Sequence, residues 1–500
     1  MKNKKLIFIL SVCIIIFTSA LIHKTFENDT YFTIATGNYI LENGVNEVEP
    51  FTWHENLKFT KLRWGFDIAV ASIYNLAGYN GLYIFTVIMS ATIGVCLFIT
   101  LIKRKNNVIV SFIMTLFVMM NLKSSLVCRG QIMSYLFFIL EIYSIQMLLE
   151  TRKKKYSIYL IIISVMILTF HSSVWLAHFV FYLPYIVEAF LNKIKINTVV
   201  EETGKLELEQ REKGTMKMLF ITMLIVFITG FCTPLGLTPF TYMFKVIGGY
   251  SSKIINELQP LKITRNIQLF VTVVGILGVL SITKTKIKLT DVMLAVGVLI
   301  MAKMAYRNMP IAVLILAYPS TMLITKYIKT YNKERVFDRL DEKLNKNIPI
   351  LIIILLIIAM ISITNYRKIY KENYVEPTHY PIGAAEFIKE NLDLDKIKLY
   401  NHFNFGSYLE LQGIPTFIDS RSEVYCKEFN NVTILEDFAN FDIYGTLTPE
   451  DMIEKYGFTH FVFSAGNRNA LEMKNNNSFN AIYDDGKFVV FEYINEKVQE

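Results

Sequence analysis

Of 500 residues, 53% are hydrophobic and 19% are charged, with 51 Lys and Arg against 43 Asp and Glu for a net charge of +8. The apolar residues recur in runs of about 17 to 25, long enough to cross a hydrocarbon core, which makes this a polytopic membrane protein and excludes a soluble globular domain. Nucleic acid is excluded as a partner: the tail from Tyr366 onward carries 13 Lys and Arg against 22 Asp and Glu, the rest of the chain 38 against 21, and the positive residues flank apolar runs instead of forming one patch.

Lys2, Lys4 and Lys5 precede a first apolar run that reads as a retained span over 5–23, since no small-x-small cleavage site comes before the acidic loop. Further spans are expected over 80–102, 107–122, 131–149, 156–170, 175–191, 216–232, 266–283, 289–305, 309–325 and 348–364, roughly eleven crossings. The basic clusters Lys103 to Lys105, Arg152 to Lys155, Lys193 with Lys195, Lys284 to Lys288, and the stretch from Lys326 to Lys346 fall on one side under alternate threading. That side is then cytoplasmic, with the N-terminus inside and the C-terminus outside a cell membrane. The expected organisation is a transmembrane domain over 1–365, with outer loops at 24–79 and 233–265 and a charged, mobile cytoplasmic loop at 192–215, followed by an extracytoplasmic α/β domain over 366–500. Around His171 a re-entrant or broken helix is the alternative to two simple crossings.

In the first outer loop, Glu27-Asn28-Asp29 opens YFTIATGNYILENG, where apolar residues recur at helical spacing and Gly44 offers a stop. EPFTW follows, and LRWGFDIAVASIYNLAG is a second amphipathic stretch that ends at Gly78. Two helices lying on the membrane surface would roof a cavity. Threaded this way, Asp29, Arg129, His171, Glu257 and Arg307 all reach the outer surface, as expected of one outward-facing cleft. Each also has a bland reading: a solvated carboxylate, a snorkelling arginine, a structurally satisfied histidine. Their repetition on one face, with nothing comparable near the inner side, favours a site.

The tail reads as a strand–helix alternation that ends antiparallel. PIGAAEFIKENL and PEDMIEKYG are helices, KLYN, TFIDS and THFVFSA strands, and FNAIYDD with KFVVFEY a hairpin across Gly486. Asn401, Gly406, Tyr408, Asp419, Arg421 and Tyr425 gather at expected strand ends, where α/β sheets bind ligands. Asp419 and Arg421 form either a structural ion pair or an edge that selects the acceptor. The five cysteines suggest no disulfide framework, and there is no HExxH, paired CxxC, P-loop or GxSxG.

The order of Asp29, Gly37 and Gly44, EPFTW, Arg129 with Gln131, His171, the Pro-Leu-Gly turn at 234–236, Asn256-Glu257, Arg307, and FGSYL with FIDSRSEVY resembles bacterial members of the GT-C superfamily. These are polytopic glycosyltransferases that take sugars from polyprenyl-phosphate carriers, among them protein O-mannosyltransferases, the lipid A aminoarabinose transferase and oligosaccharyltransferases. The chain departs from its relatives at Glu49, where an Asp is usual, and at Leu62-Arg63-Trp64, where His-Glu-Trp is usual. The resemblance implies a transferase with Asp29, in a Glu27-x-Asp29 form, as the base for the acceptor hydroxyl, and Arg129 and Arg307, helped by His171, as the seat of the donor phosphate. Glu27, Glu49, Gln131, Asn256, Glu257, Asp419, Arg421 and Tyr425 are candidates for acceptor binding or positioning. Glu257 is equally suited to binding a divalent metal or holding an arginine; no motif specifies a cofactor. The partners implied are a polyprenyl-phosphate sugar, membrane lipid, and a glycan, lipid or protein acceptor. A lipid-linked glycan translocator or a non-catalytic protein of envelope polysaccharide assembly is the alternative, and would need polar groups through the membrane.

Overall fold

A computed structural model describes residues 4–193, 206–209, 213–262, 275, 278, 285–331 and 336–494. In chain order the principal helices are α1 (Lys4–Ser19), α2 (Asn28–Asn43), α3 (Trp64–Lys103), α4 (Val108–Leu122), α5 (Gln131–Thr151), α6 (Lys154–Phe170), α7 (Leu183–Lys193), α8 (Lys213–Thr229), α9 (Thr238–Gly248), α10 (Leu289–Met304), α11 (Met309–Tyr331), α12 (Val336–Lys346), α13 (Ile348–Ile369), α14 (Ile382–Asn391), α15 (Gly406–Leu411) and α16 (Pro449–Tyr456). The strands are β1 (Leu399–Asn401), β2 (His460–Ser464), β3 (Phe479–Asp484) and β4 (Phe488–Tyr493). The chain divides into two compact units. One comprises Met1–His23, Tyr83–Phe240 and Glu257–Lys371, the other Lys24–Leu82, Thr241–Asn256 and Glu372–Glu500.

The first unit is a helical bundle. Among the described residues six helical segments are long and apolar enough to cross a membrane, Trp64–Lys103, Val108–Ser125, Gln131–Thr151, Ser172–Lys193, Tyr306–Tyr331 and Pro349–Ile369. Helices α1, α6, α8 and α10 are apolar and shorter, 16 or 17 residues each. The expected span 266–283 lies, but for two glycines, outside the described residues. Exposed apolar side chains such as Phe8, Ile84, Leu356 and Met360 cover the bundle's surface, as expected where the solvent is lipid. Thus the chain is a multi-pass membrane protein.

Two sequence expectations change here. The span after His171 is broken: Ser172–Val174 and Leu176–Phe181 are 3-10 turns, and regular helix resumes only at Leu183. The expected cytoplasmic linker is partly docked, because Leu206–Glu207 pairs in parallel with Ile287–Lys288, while Glu207 and Glu209 meet Lys326 and Lys288 at 2.8 and 3.0 Å.

The second unit joins the first outer loop to the tail. Its sheet has the order β1-β2-β4-β3, parallel between β1 and β2 and antiparallel elsewhere, with Phe461 paired to Phe491 at its centre. One hydrophobic core takes Phe32, Leu57 and Phe59 from the loop together with Tyr400, Phe417, Phe461 and Phe491 from the tail. The expected strand TFIDS does not enter the sheet. Asn401 takes its partners instead, donating Nδ2 to the Ile418 carbonyl at 2.6 Å and accepting the Phe417 N–H at 2.8 Å, while Thr416 bridges in parallel to Thr52. The loop thus occupies the position a further strand would fill, with Trp53 donating its indole N–H to Leu399.

Candidate active site

Asp29 stands in the first turn of α2, preceded by Glu27 at the N-cap, and is half-buried. A first-turn carboxylate is favoured by the helix macrodipole, so the turn suits an ionised base. The turn is held from several sides: Asn28 donates to the Phe403 carbonyl at 3.0 Å, the Phe26 N–H to Tyr374 at 2.9 Å, and Thr33 bonds back to the Asp29 carbonyl at 2.8 Å. Farther along α2, Gly37 lets α3 approach so closely that a Cβ there would run into the Asp67 carbonyl oxygen. Helix α2 then ends at Gly44 as expected, and Gly78 interrupts the next helix where the sequence places its end. With φ 59° and ψ −153°, a conformation open to glycine, it kinks α3, which runs on to Lys103.

Four of the expected acceptor residues turn out to form a closed cluster. Arg421 donates Nη1 and Nη2 to Glu49 at 2.6 and 3.0 Å, Nη2 to Glu410 at 2.5 Å, and Nε and Nη2 to Asp419 at 2.9 and 2.5 Å; Tyr425 donates its hydroxyl to Asp419. The Arg421, Glu49, Glu410 and Asp419 side chains are fully buried, and Phe51 and Phe59 face the guanidinium at 5.0 and 4.6 Å. Burial works against the Asp419 charge, but Arg421 and the hydrogen bonds outweigh it and hold the carboxyl at about 2. Glu410 is pushed well above the carboxylate range by burial, Arg421 offsetting only part of this, and its proton is shared with Asp419. Burial likewise raises Glu49 despite Arg421. An edge lined by these side chains would have to expose them; instead they satisfy one another across 372 residues of sequence. Glu410, not among the residues expected from the sequence, completes the set. Nearby, buried Lys61 donates to Asn46 and Val48 carbonyls at 2.8 and 2.9 Å, and burial lowers its ammonium to about 8.

In the bundle, Arg129 just ahead of α5 meets Glu257 at 3.2 Å. The Glu257 carbonyl accepts the Arg307 N–H at 2.8 Å, and the Gln259 carbonyl accepts that of Tyr306, also at 2.8 Å. The buried Tyr135 phenol lies within electrostatic reach of Arg129, Glu257 and Arg307. Glu257 therefore does hold an arginine, one of its three candidate tasks. Gln131 begins α5 and is half-buried, and Asn256 is exposed in a turn. His171 caps α6 and shares a proton with Ser134 across 2.7 Å. Among the described residues no group of three or more His, Cys, Asp or Glu side chains could hold a metal ion, and all five cysteines are free.

One polar pair inside the bundle escaped the sequence reading. Glu141, in the apolar run FFILEIYSI of α5, lies 2.8 Å from His178, both side chains about 1% exposed. His171–Ser134 and His178–Glu141 are thus two rungs seven residues apart on both elements, clipping the 3-10 segment to α5. A lone acid within a span was the signal that could have found them. Arg104 and Asp291 form a second buried pair at 3.3 Å, so the bundle is less free of internal charge than expected.

No protein-family model matches the sequence, and neither does any curated protein. Solved structures do match. The oligosaccharyltransferase AglB of Archaeoglobus fulgidus, in complex with an inhibitory peptide and a dolichol-phosphate, superposes with a TM-score of 0.58 at 10% identity, over 98% of this chain and 74% of that one. ArnT of Cupriavidus metallidurans bound to undecaprenyl phosphate gives 0.56 at 10% identity, over 98% of both chains. The chain shares its fold with these two proteins. The likeness covers 98% of this chain, so it embraces both units and not the membrane helices alone.

Proposed function

We propose that the chain is an integral-membrane glycosyltransferase that moves a sugar from a polyprenyl-phosphate donor to an acceptor at the outer face. The observation that carries this reading is full-length likeness to two folds, each solved with a polyprenyl phosphate bound. In the proposed chemistry Asp29 takes the proton of the acceptor hydroxyl as it attacks the anomeric carbon. The leaving phosphate is already an anion, so it needs positive charge and no acid; Arg129 and Arg307 supply it, and His171 assists. Glu257 orients Arg129. Glu27, Gln131 and Asn256 remain candidates for contacting substrate, while Glu49, Asp419, Arg421 and Tyr425 position the outer loop without touching substrate.

The reading goes with roughly eleven crossings, a cytoplasmic N-terminus and an outer tail, supported by the basic loops falling on one side under alternate threading. Among the described residues a translocator is favoured by Glu141–His178 and Arg104–Asp291, and two separate enclosed pairs are no path for a glycan head group. Asp29→Asn tests the proposal: the variant should insert and fold normally while transfer falls at least 10²-fold. Unchanged transfer would remove Asp29 from the mechanism.

A further inference from the structure

Helix α13 is held to the bundle unevenly. Toward its start, Leu351, Ile354, Leu355 and Ile358 pack with Leu6, Leu10 and Ile14 of α1 in one apolar cluster. Beyond Ile358 this packing gives way to a cavity of about 510 Å³ between α1, α3 and α13, lined by Ile15, Ser19, Tyr83, Val87, Ser362 and Tyr366 among others. The lining is nearly all hydrocarbon. Among its few polar groups is Ser362, only 5% exposed, whose hydroxyl finds no hydrogen-bond partner among the described residues. Serines in helices ordinarily bond a carbonyl one turn back, and a buried hydroxyl left unsatisfied is destabilising.

The same end of α13 is basic. Arg367 and Lys368 occupy its last turn and Lys371 follows, all exposed, with Tyr366 and Tyr370 at the level where tyrosines anchor a membrane interface. Cations at a helix C-terminus complement the macrodipole, which explains their tolerance but not the cavity below them. Five residues separate Ser362 from Arg367, about 7.5 Å along the axis. Around the helix, at about 100° per residue, Arg367 flanks the lining residue Ile363 while Lys368 and Lys371 turn to other faces, so hydrocarbon groove, buried hydroxyl and one cation follow in the order of an acyl chain, its ester and a phosphate.

We propose that this groove binds one anionic glycerophospholipid of the surrounding bilayer, with an acyl chain in the cavity, an ester carbonyl accepting the Ser362 hydroxyl, and the phosphate against Arg367, the exposed Lys368 and Lys371 adding only to the local positive field. A polyprenyl phosphate fits less well, since its chain offers no acceptor at the depth of Ser362. The groove also lies on helices that carry none of Arg129, His171 or Arg307, so it is separate from the proposed donor site. The bound lipid would complete the packing of α13, whose face is otherwise open at Leu356 and Met360.

The test is the lipid retained by the full chain purified in mild detergent and exchanged into phosphatidylglycerol or phosphatidylcholine, read by native mass spectrometry. One phosphatidylglycerol should remain per chain and phosphatidylcholine should not. The triple variant R367Q/K368Q/K371Q, confined to exposed side chains, should lose retention at least tenfold, and Ala359→Trp, which fills the cavity, should lose it as well. Equal retention of both lipids, retention untouched by the triple variant, or a polyprenyl phosphate as the retained species would overturn the proposal.

Discussion

Replacing Arg421 by Met removes one cation from the midst of three carboxyl groups, and the consequences differ for each. Five side-chain hydrogen bonds to Glu49, Glu410 and Asp419 are lost together. Glu49 and Glu410, which burial already disposes toward protonation, relax by taking up a proton. Asp419, which Arg421 helps hold near 2, loses that support and keeps only Tyr425 and Glu410 against the cost of its burial. Breaking a buried pair by removing one partner costs about 3–5 kcal/mol, and the expected loss for Arg421→Met falls in that range. By contrast Glu410→Gln replaces a carboxyl that is already neutral with an amide able to donate to Asp419, and should change stability by less than about 1 kcal/mol. The linkage has a definite sign. Asp419 titrates lower in the folded chain than its ordinary 3.8, so its contribution, about 2 kcal/mol, is present above pH 4 and lost as pH falls toward 2. Glu410 titrates higher when folded, so its contribution is full below pH 4.5 and declines as pH rises. Urea unfolding of the purified protein can be followed at buried Cys426 by alkylation and peptide mass spectrometry. Equal destabilisation by Arg421→Met and Glu410→Gln would refute the assignment of charge within the cluster.

Further expectations follow from the packing. Glu141→Ala leaves His178 without its partner inside the bundle and should cost about 3–5 kcal/mol, with Glu141→Gln recovering most of it; thermal melting in detergent distinguishes the two. Gly37→Leu drives a side chain into the Asp67 carbonyl and should part α2 from α3, seen as new protease cleavage between residues 44 and 62 in a chain that still inserts. Ending the chain at Lys371 strips Phe32, Leu57 and Phe59 of the tail residues that cover them, so the outer loop should become protease-sensitive and Asp29 inactive together. Intact resistance of that loop would show that it folds alone.

The sequence made the membrane class and most helices legible because each span carries its signal locally, in length and hydropathy. Helix α2 was equally plain, with Asp29 in its first turn and Gly44 as its stop. What it could not reveal was pairing between distant segments. TFIDS has strand composition, yet Asn401 and the outer loop claim its backbone groups. Glu49 and Arg421 each look like surface charge until the fold brings them together in one core across a sequence separation of 372. The break after His171 was foreseen as an alternative, but its cause, the paired rungs to Ser134 and Glu141, depends on a neighbouring helix. Glu257 was read with three roles open, and only contact with Arg129 selected one.

The measurement that bears most directly on glycosyl transfer compares surface glycans, glycoproteins and lipid-linked sugars by mass spectrometry in cells lacking the gene, complemented with either the wild-type chain or Asp29→Asn at equal membrane levels. Loss of a defined sugar from an outer-face acceptor, with accumulation of its polyprenyl-phosphate form, restored by the wild type alone, is the expected result. Restoration by both chains, or glycans identical with and without the gene, would contradict it.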